Sequence, residues 1–218
     1  MLNLKQHFKN HKKLYILLIA LIIIAITIFL INFNKNNYKT SNYGNNITNI
    51  DEVEKYILNI SSYKATMEVT IKSNKNTNKY ILKQTHKQQN EQYEDTQEVI
   101  EPENIKGLKI IYQNGTLEIK NIQLELTQIY SNYPYIEDNN LWLNSFINDY
   151  KNIEVKNKKI IEENDEIKIT LETKNDKKIR YKELYLDKKT GKPTKLLLKD
   201  SNQNETIYIL YTEIELSY

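Results

Sequence analysis

SYKATMEVTIK, residues Ser62–Lys72, decides the fold. Tyr63, Ala65, Met67, Val69 and Ile71 alternate with Lys64, Thr66, Glu68, Thr70 and Lys72. Successive side chains of a strand point to opposite faces, so the pattern predicts a strand with one face buried and the other in water. Asn74 to Asn78 is turn-like, and a second strand is predicted over Lys79 to His86 through Tyr80 and Leu82. A weaker strand is predicted over Glu91 to Ile100, followed by a loop between Pro102 and Gly107. Leu108 to Tyr112 then faces Leu117 to Ile119 across Asn114-Gly115. Asn-Gly between alternating runs predicts a type I′ hairpin, because both turn residues need positive φ.

Two segments change the period. Ahead of Ser62, Ile50, Val53, Ile57 and Ile60 share one helical face, with Asn49 as N-cap and Asp51 and Glu52 loading the first turn. After the aromatic segment Tyr130 to Tyr135, the cluster Glu137-Asp138-Asn139-Asn140 is a capping signal for a second helix. Its apolar face is Trp142, Leu143, Phe146, Ile147 and Tyr150. The C-terminal third reads as a meander, with strands over 153–161, 167–171, 179–186, 194–198 and 206–216. The intervening turns fall at Glu163-Asn164-Asp165, Asn175-Asp176, Lys188 to Lys192 around Gly191, and Asp200 to Asn204. The fold class is α+β and mostly antiparallel β: one curved half-barrel sheet with helices on its concave face.

The N-terminal region predicts an address. Leu14 to Ile31 is an uncharged apolar run, inside a predicted anchor of residues 14–33. At about 1.5 Å per residue it makes a helix near a bilayer's hydrocarbon thickness, preceded by one transmembrane helix's usual basic flank. That flank is the tail 1–13, with Lys5, Lys9, Lys12 and Lys13 and no acid. The positive-inside rule keeps it cytoplasmic and puts the rest outside the membrane. The residues behind the run, Asn32-Phe33-Asn34-Lys35, offer no small-residue cleavage site, so an uncleaved, single-pass anchor is expected at the cell membrane. Residues 34–48 form an Asn-rich linker, too polar to order itself, and residues 49–218 one extracytoplasmic domain.

Composition excludes several functions. The chain carries 31 Lys+Arg and 28 Asp+Glu; without the four tail lysines the balance is 27 against 28, and there is no basic face for nucleic acid. The absence of cysteine excludes disulfides, zinc-thiolate sites and thiol catalysis. Four glycines do not make a phosphate-cradling loop. Glu162, Glu163, Asp165 and Glu166 lack the spacing of a calcium loop and read as a solvated turn. His86 is the domain's one histidine and, beside Lys83 and Lys87, is expected on the surface with no catalytic role. No enzyme activity, cofactor or metal is therefore expected. The abundance of Asn, Lys, Ile and Tyr is similar to that of proteins from AT-rich Gram-positive bacteria.

The helix running into Ser61-Ser62-Tyr63-Lys64-Ala65-Thr66-Met67-Glu68-Val69-Thr70 resembles the opening of LolA-like domains, an incomplete β-barrel family of lipoprotein carriers and their relatives. Leu184-Tyr185-Leu186-Asp187-Lys188-Lys189-Thr190-Gly191-Lys192-Pro193-Thr194-Lys195-Leu196 is similar to the strand–turn–strand of those relatives, where D-x-x-T-G-x-P joins two barrel strands. Within that group the chain looks most like the germination lipoprotein GerS and related clostridial spore proteins, over roughly residues 48–218. The resemblance implies a non-catalytic protein that binds and supports a cell-wall (cortex) amidase in sporulation and germination, in the forespore or spore envelope. The alternative it implies is binding of lipid or a lipoprotein acyl chain in the half-barrel. The chain departs from the GerS pattern in lacking the lipid-bearing cysteine, and a permanent tether suits a fixed partner better than a ferried cargo.

Trp142 and Phe146 have two readings: core residues under the second helix, or, with Tyr130, Tyr133 and Tyr135, a partner- or ligand-binding surface. Tyr and Trp combine a large apolar area with a polar tip, which suits both.

Overall fold

The computed structural model describes residues 50–73, 75–89, 92–133, 140–173 and 179–218. The basic tail, the predicted anchor 14–33, the linker 34–48, the Asn49 cap, Tyr135, Glu137 to Asn139 and the turn Asn175-Asp176 lie outside the described residues. Among the described residues, no helix is long and apolar enough to cross a membrane.

Helix α1 (Ile50–Leu58) leads into β1 (Ser62–Lys72), the strand of the opening alternation. A meander follows: β2 (Thr77–Gln89), β3 (Gln92–Glu101), β4 (Leu108–Gln113), β5 (Thr116–Asn121) and β6 (Leu126–Tyr130). Helix α2 (Leu143–Asn152) precedes a second meander of β7 (Lys158–Glu163), β8 (Glu166–Glu172), β9 (Tyr181–Asp187), β10 (Pro193–Lys199) and β11 (Glu205–Ser217). All eleven strands form one open, curved antiparallel sheet in the order β6-β5-β4-β3-β2-β1-β11-β10-β9-β8-β7. The first and last strands therefore pair in its middle, from Ser62 opposite Ser217 to Ile71 opposite Ile207, with an irregularity between Thr66 and Met67.

Burial follows the alternation. Tyr63, Ala65, Met67 and Val69 are buried, while Lys64 and Glu68 are exposed. The same face carries Ile167, Ile169 and Leu171 of β8, Leu184 and Leu186 of β9, Leu196 and Leu198 of β10 and Ile209 of β11. Val53 and Ile57 of α1 and Leu143, Phe146, Ile147 and Tyr150 of α2 join them in one core. Burying a Leu, Ile or Phe side chain is worth about 1.5–3 kcal/mol, so this face supplies most of the fold's driving force.

The turns follow the sequence closely. Asn114 and Gly115 take φ of 50° and 74°, as a type I′ turn demands. In the D-x-x-T-G-x-P turn, Asp187 Oδ1 accepts from both the backbone N–H and the hydroxyl of Thr190 at 2.7 Å, and Gly191 takes φ 69°. The Thr190 hydroxyl, followed by backbone N–H groups, holds the Asp187 carboxyl below the usual carboxylate range against the opposing effect of burial.

One strand is new and one expected strand starts late. The segment 126–130, for which the sequence predicts no element, is a strand; every side chain on it is exposed, so it carries no alternation of polarity to read. The strand expected over 153–161 begins only at Lys158. Ile153 still closes α2 through its N–H to Asp149 O, and Val155–Asn157 makes a 3-10 turn before the chain can reach the sheet edge. Helix α2 has Trp142 at its N-cap, with no side-chain cap from that residue, and Glu137 to Asn139 of the capping cluster lie outside the described residues.

Leu184 is fully buried, so Leu184→Ala should cost about 2–5 kcal/mol in urea unfolding, whereas Leu124→Ala, at 65% exposure, should stay within about 0.5 kcal/mol. Asp187 has a depressed folded-state pKa. Its contribution is present above the ordinary carboxyl pKa of about 4 and is lost as pH falls through the lower folded value. The stability gap between the native chain and Asp187→Asn should therefore narrow between pH 6 and pH values of about 2.5.

Candidate functional site

Strand register carries Tyr63 of β1 to His86 of β2, His86 to Asp95 of β3, Asp95 to Tyr112 of β4, Tyr112 to Leu117 of β5 and Leu117 to Tyr130 of β6. Residues directly opposite in an antiparallel pair share a face, so these side chains form one row across the sheet. The next row runs Ala65, Gln84, Gln97, and the one after it Met67, Leu82, Val99. The covered face thus grades from apolar to amide to a histidine–carboxylate–tyrosine row.

That row is buried. His86 is 4% exposed and Asp95 5% exposed, although both were polar enough to read as surface. The expectation for His86 is overturned by its phase: it shares the face of Leu82 and Gln84, whereas Lys83 and Lys87 fall on the other. Extending the two-residue period from Leu82 through Gln84, and from Val99 back through Gln97, was the signal that places His86 and Asp95 inside.

The polar groups of this row contact one another and the start of α2. His86 Nδ1 lies 2.6 Å from Asp95 Oδ1, and the ring's tautomer decides which group donates there. The Asn144 side-chain amide on α2 lies 2.9 Å from the same nitrogen. Tyr63 and Tyr93 flank the ring at centroid distances of 5.6 and 6.0 Å. The Tyr63 hydroxyl donates to Gln84 Oε1 at 3.4 Å and accepts the Leu143 backbone N–H at 3.2 Å. Gln84 Nε2 continues to Gln97 Oε1 at 2.7 Å. A helix begins with N–H groups that have no partner inside it, and a tyrosine on β1 satisfies one of these at the start of α2. Farther along α2, Lys182 of β9 is buried and pairs with Asp149, with Ser145 Oγ at 3.5 Å.

Beside the row lies a pocket of about 360 Å³. Its floor is Tyr63, His86 and Tyr112; α2 contributes Asn144, Ile147 and Asn148 to one wall. The type I′ turn Asn114-Gly115 forms the far rim. Tyr112 donates its hydroxyl to Tyr133 O at 3.2 Å, and burial, followed by the Asp95 carboxylate, pushes that hydroxyl's pKa up. The hydrogen-bond partners of His86 are a carboxylate and an amide, with no hydroxyl or thiol nucleophile in the set. Among the described residues, no group of three metal-ligating side chains is assembled.

The aromatic residues singled out from sequence separate. Trp142 and Phe146 are 5% and 1% exposed and belong to the core. Tyr130 and Tyr133 are 45% and 40% exposed, with ring centroids 6.3 Å apart at the β6 edge. Tyr135 lies outside the described residues. Glu162 and Glu166, read as turn acids, pair with Lys188 and Lys195 at 2.9 Å.

No protein-family model and no curated protein sequence matches the chain. Solved structures similar to it include a chain of the CwlD amidase–GerS lipoprotein complex from Clostridioides difficile. That match has 23% identity and TM-score 0.48, over 76% of this chain and 92% of that one. A chain of the Pseudomonas aeruginosa MucA/MucB complex matches at 13% identity and TM-score 0.45, over 76% of this chain and 55% of that one. A LolA superfamily protein from Nitrosomonas europaea matches at 10% identity and TM-score 0.36, over 77% of this chain and 93% of that one.

Tyr63→Phe removes the hydroxyl that accepts the Leu143 N–H while keeping the ring. It should cost about 1–3 kcal/mol, the penalty for a buried donor left without a partner, measured by urea unfolding.

Proposed function

We propose that the chain is a non-catalytic, membrane-anchored extracytoplasmic binding protein that supports a cell-wall amidase in sporulation or germination through a protein–protein contact. The anchor and the address come from the apolar run Leu14 to Ile31 behind four lysines. The kind of partner comes from the sequence resemblance to GerS-type proteins. The observation that carries the binding role is the edge strand β6.

Sheet edges offer unpaired backbone groups, and proteins guard them with charge. The far edge, β7, is guarded by Lys158, Lys159, Glu162 and Glu163. On β6, the sequence LTQIY has no charge, and Leu126 and Ile129 are 61% and 62% exposed. The preceding turn adds Ile122 and Leu124 at 60% and 65% exposure. An extended partner segment laid against β6 gains main-chain hydrogen bonds and covers these side chains. A non-catalytic role agrees with the commitment of the one described histidine, His86, to a buried network.

Pull-down of the full chain from sporulating cells should recover a cell-wall amidase, and Ile129→Asp should abolish the recovery without lowering Tm. Recovery of no cell-wall hydrolase, with normal cortex in a deletion strain, would overturn the partner reading. Because the chain has no native cysteine, Val155→Cys at an 82% exposed site provides a clean topology probe. A membrane-impermeant maleimide applied to intact cells should label it; labelling only after lysis would reverse the orientation.

A further inference from the structure

We infer that the pocket beside His86 binds a neutral N-acetylated hexosamine unit of a glycan. This goes beyond the partner contact proposed for β6, and its test fails independently of that one.

The pocket's chemistry selects the ligand. Tyr93 stands at its mouth, 38% exposed, with its ring stacked 27° from that of His86. A partly exposed aromatic face backed by a second ring offers the flat apolar platform on which the C–H face of a sugar ring rests. Around it stand Gln88, Asn114, Asn144 and Asn148. Each amide presents donors and an acceptor, as a ring of hydroxyls and an acetamido group requires. Ile60 and Ile147 supply the apolar patch for an acetyl methyl. At about 360 Å³ the pocket sits at the small end of the range for ligand sites, which suits one sugar ring better than a long chain.

Other ligand classes fit less well. An acyl chain would strip water from the tyrosine, histidine and amide groups and return no hydrogen bond. The apolar part of the covered face, where a chain would otherwise lie, is filled by Leu143, Phe146 and the strand residues packed on them. A phosphate would find one lining cation, Lys151, and a helix start already satisfied at Leu143 by the Tyr63 hydroxyl. A metal would find no lining carboxylate, because Asp95 is turned to His86 Nδ1.

The floor is also built to hold still. The Asp95 and Asn144 contacts fix the His86 ring, and the hydroxyl of Tyr63 is tied to Gln84 and to α2. A preformed site spares the ligand the cost of ordering it.

Calorimetric and saturation-transfer NMR titration of the full chain in detergent micelles tests the inference, with N-acetylglucosamine and its β-1,4-linked disaccharide as probes. Saturable millimolar binding is expected, with transfer strongest to the acetyl methyl and to one face of the ring. Glucose should bind more weakly, and uridine and palmitate should not compete. Tyr93→Ala, at an exposed position, should weaken binding roughly five- to ten-fold with circular dichroism and Tm unchanged. Asn148→Ala should do the same, whereas Ile129→Asp at the β6 edge should leave sugar binding intact. No saturable binding by either sugar would overturn the assignment. So would equal binding of palmitate or uridine, or a Tyr93→Ala variant that binds as well as the native chain.

Discussion

The pairing of β1 with β11 is the constraint on which the rest of the structure depends. It joins the first strand of the domain to its last, Ser62 to Ser217, in the centre of an eleven-strand sheet. Neither meander buries its covered face alone. Met67 and Val69 of β1 need Ile209 and Tyr211 of β11 beside them before α1 and α2 have a surface to cover. The pairing also spans nearly the whole domain in sequence, so loop-closure entropy is spent before its contacts can form, and slow folding with a high contact order is expected.

One topological consequence generates the site. With β1 and β11 central, β6 and β7 are opposite edges, and the chain between them crosses the sheet. Helix α2 rides in that crossing. Its Leu143 N–H meets Tyr63, its Asn144 meets His86, and its Asp149 meets Lys182 on β9, so one helix touches strands on both sides of the β1–β11 seam. Apolar packing would bring α2 down onto the face, but it has no direction of its own. Polar contacts at three places along the helix select its rotation and axial position, as buried polar groups do where they specify register.

The sequence was readable where one physical signal dominated. The β1 alternation, the Asn114-Gly115 turn and the apolar face of α2 were each set by a single local rule, and the tertiary structure kept all three. It was misread where two signals competed. His86 sits between lysines, and composition suggested surface; the strand's phase, anchored by Leu82, put the ring inside. The hydroxyl that meets the Leu143 N–H belongs to Tyr63, eighty residues away, and no local pattern announces it. Strand β6 carries no burial alternation, because among the described residues all five of its side chains are exposed.

The same gradient separates the two surfaces to which function is assigned. Within one row, the side chains pass from Tyr63 and His86, enclosed beneath α2, through Tyr112 and Leu117, both nearly buried, to Tyr130, which faces water. Beneath α2, burial makes every unpaired polar atom costly, so the groups there are ordered by one another and can only bind a ligand whose polarity replaces the missing water. At β6 the backbone edge and apolar side chains are already hydrated, and covering them gains free energy for almost any extended, apolar partner. Selectivity for a small polar ligand belongs under the helix, and affinity for a large partner belongs at the edge. The sheet can hold both because it is wide enough to run from the covered strands β1 and β2 to the open edge at β6.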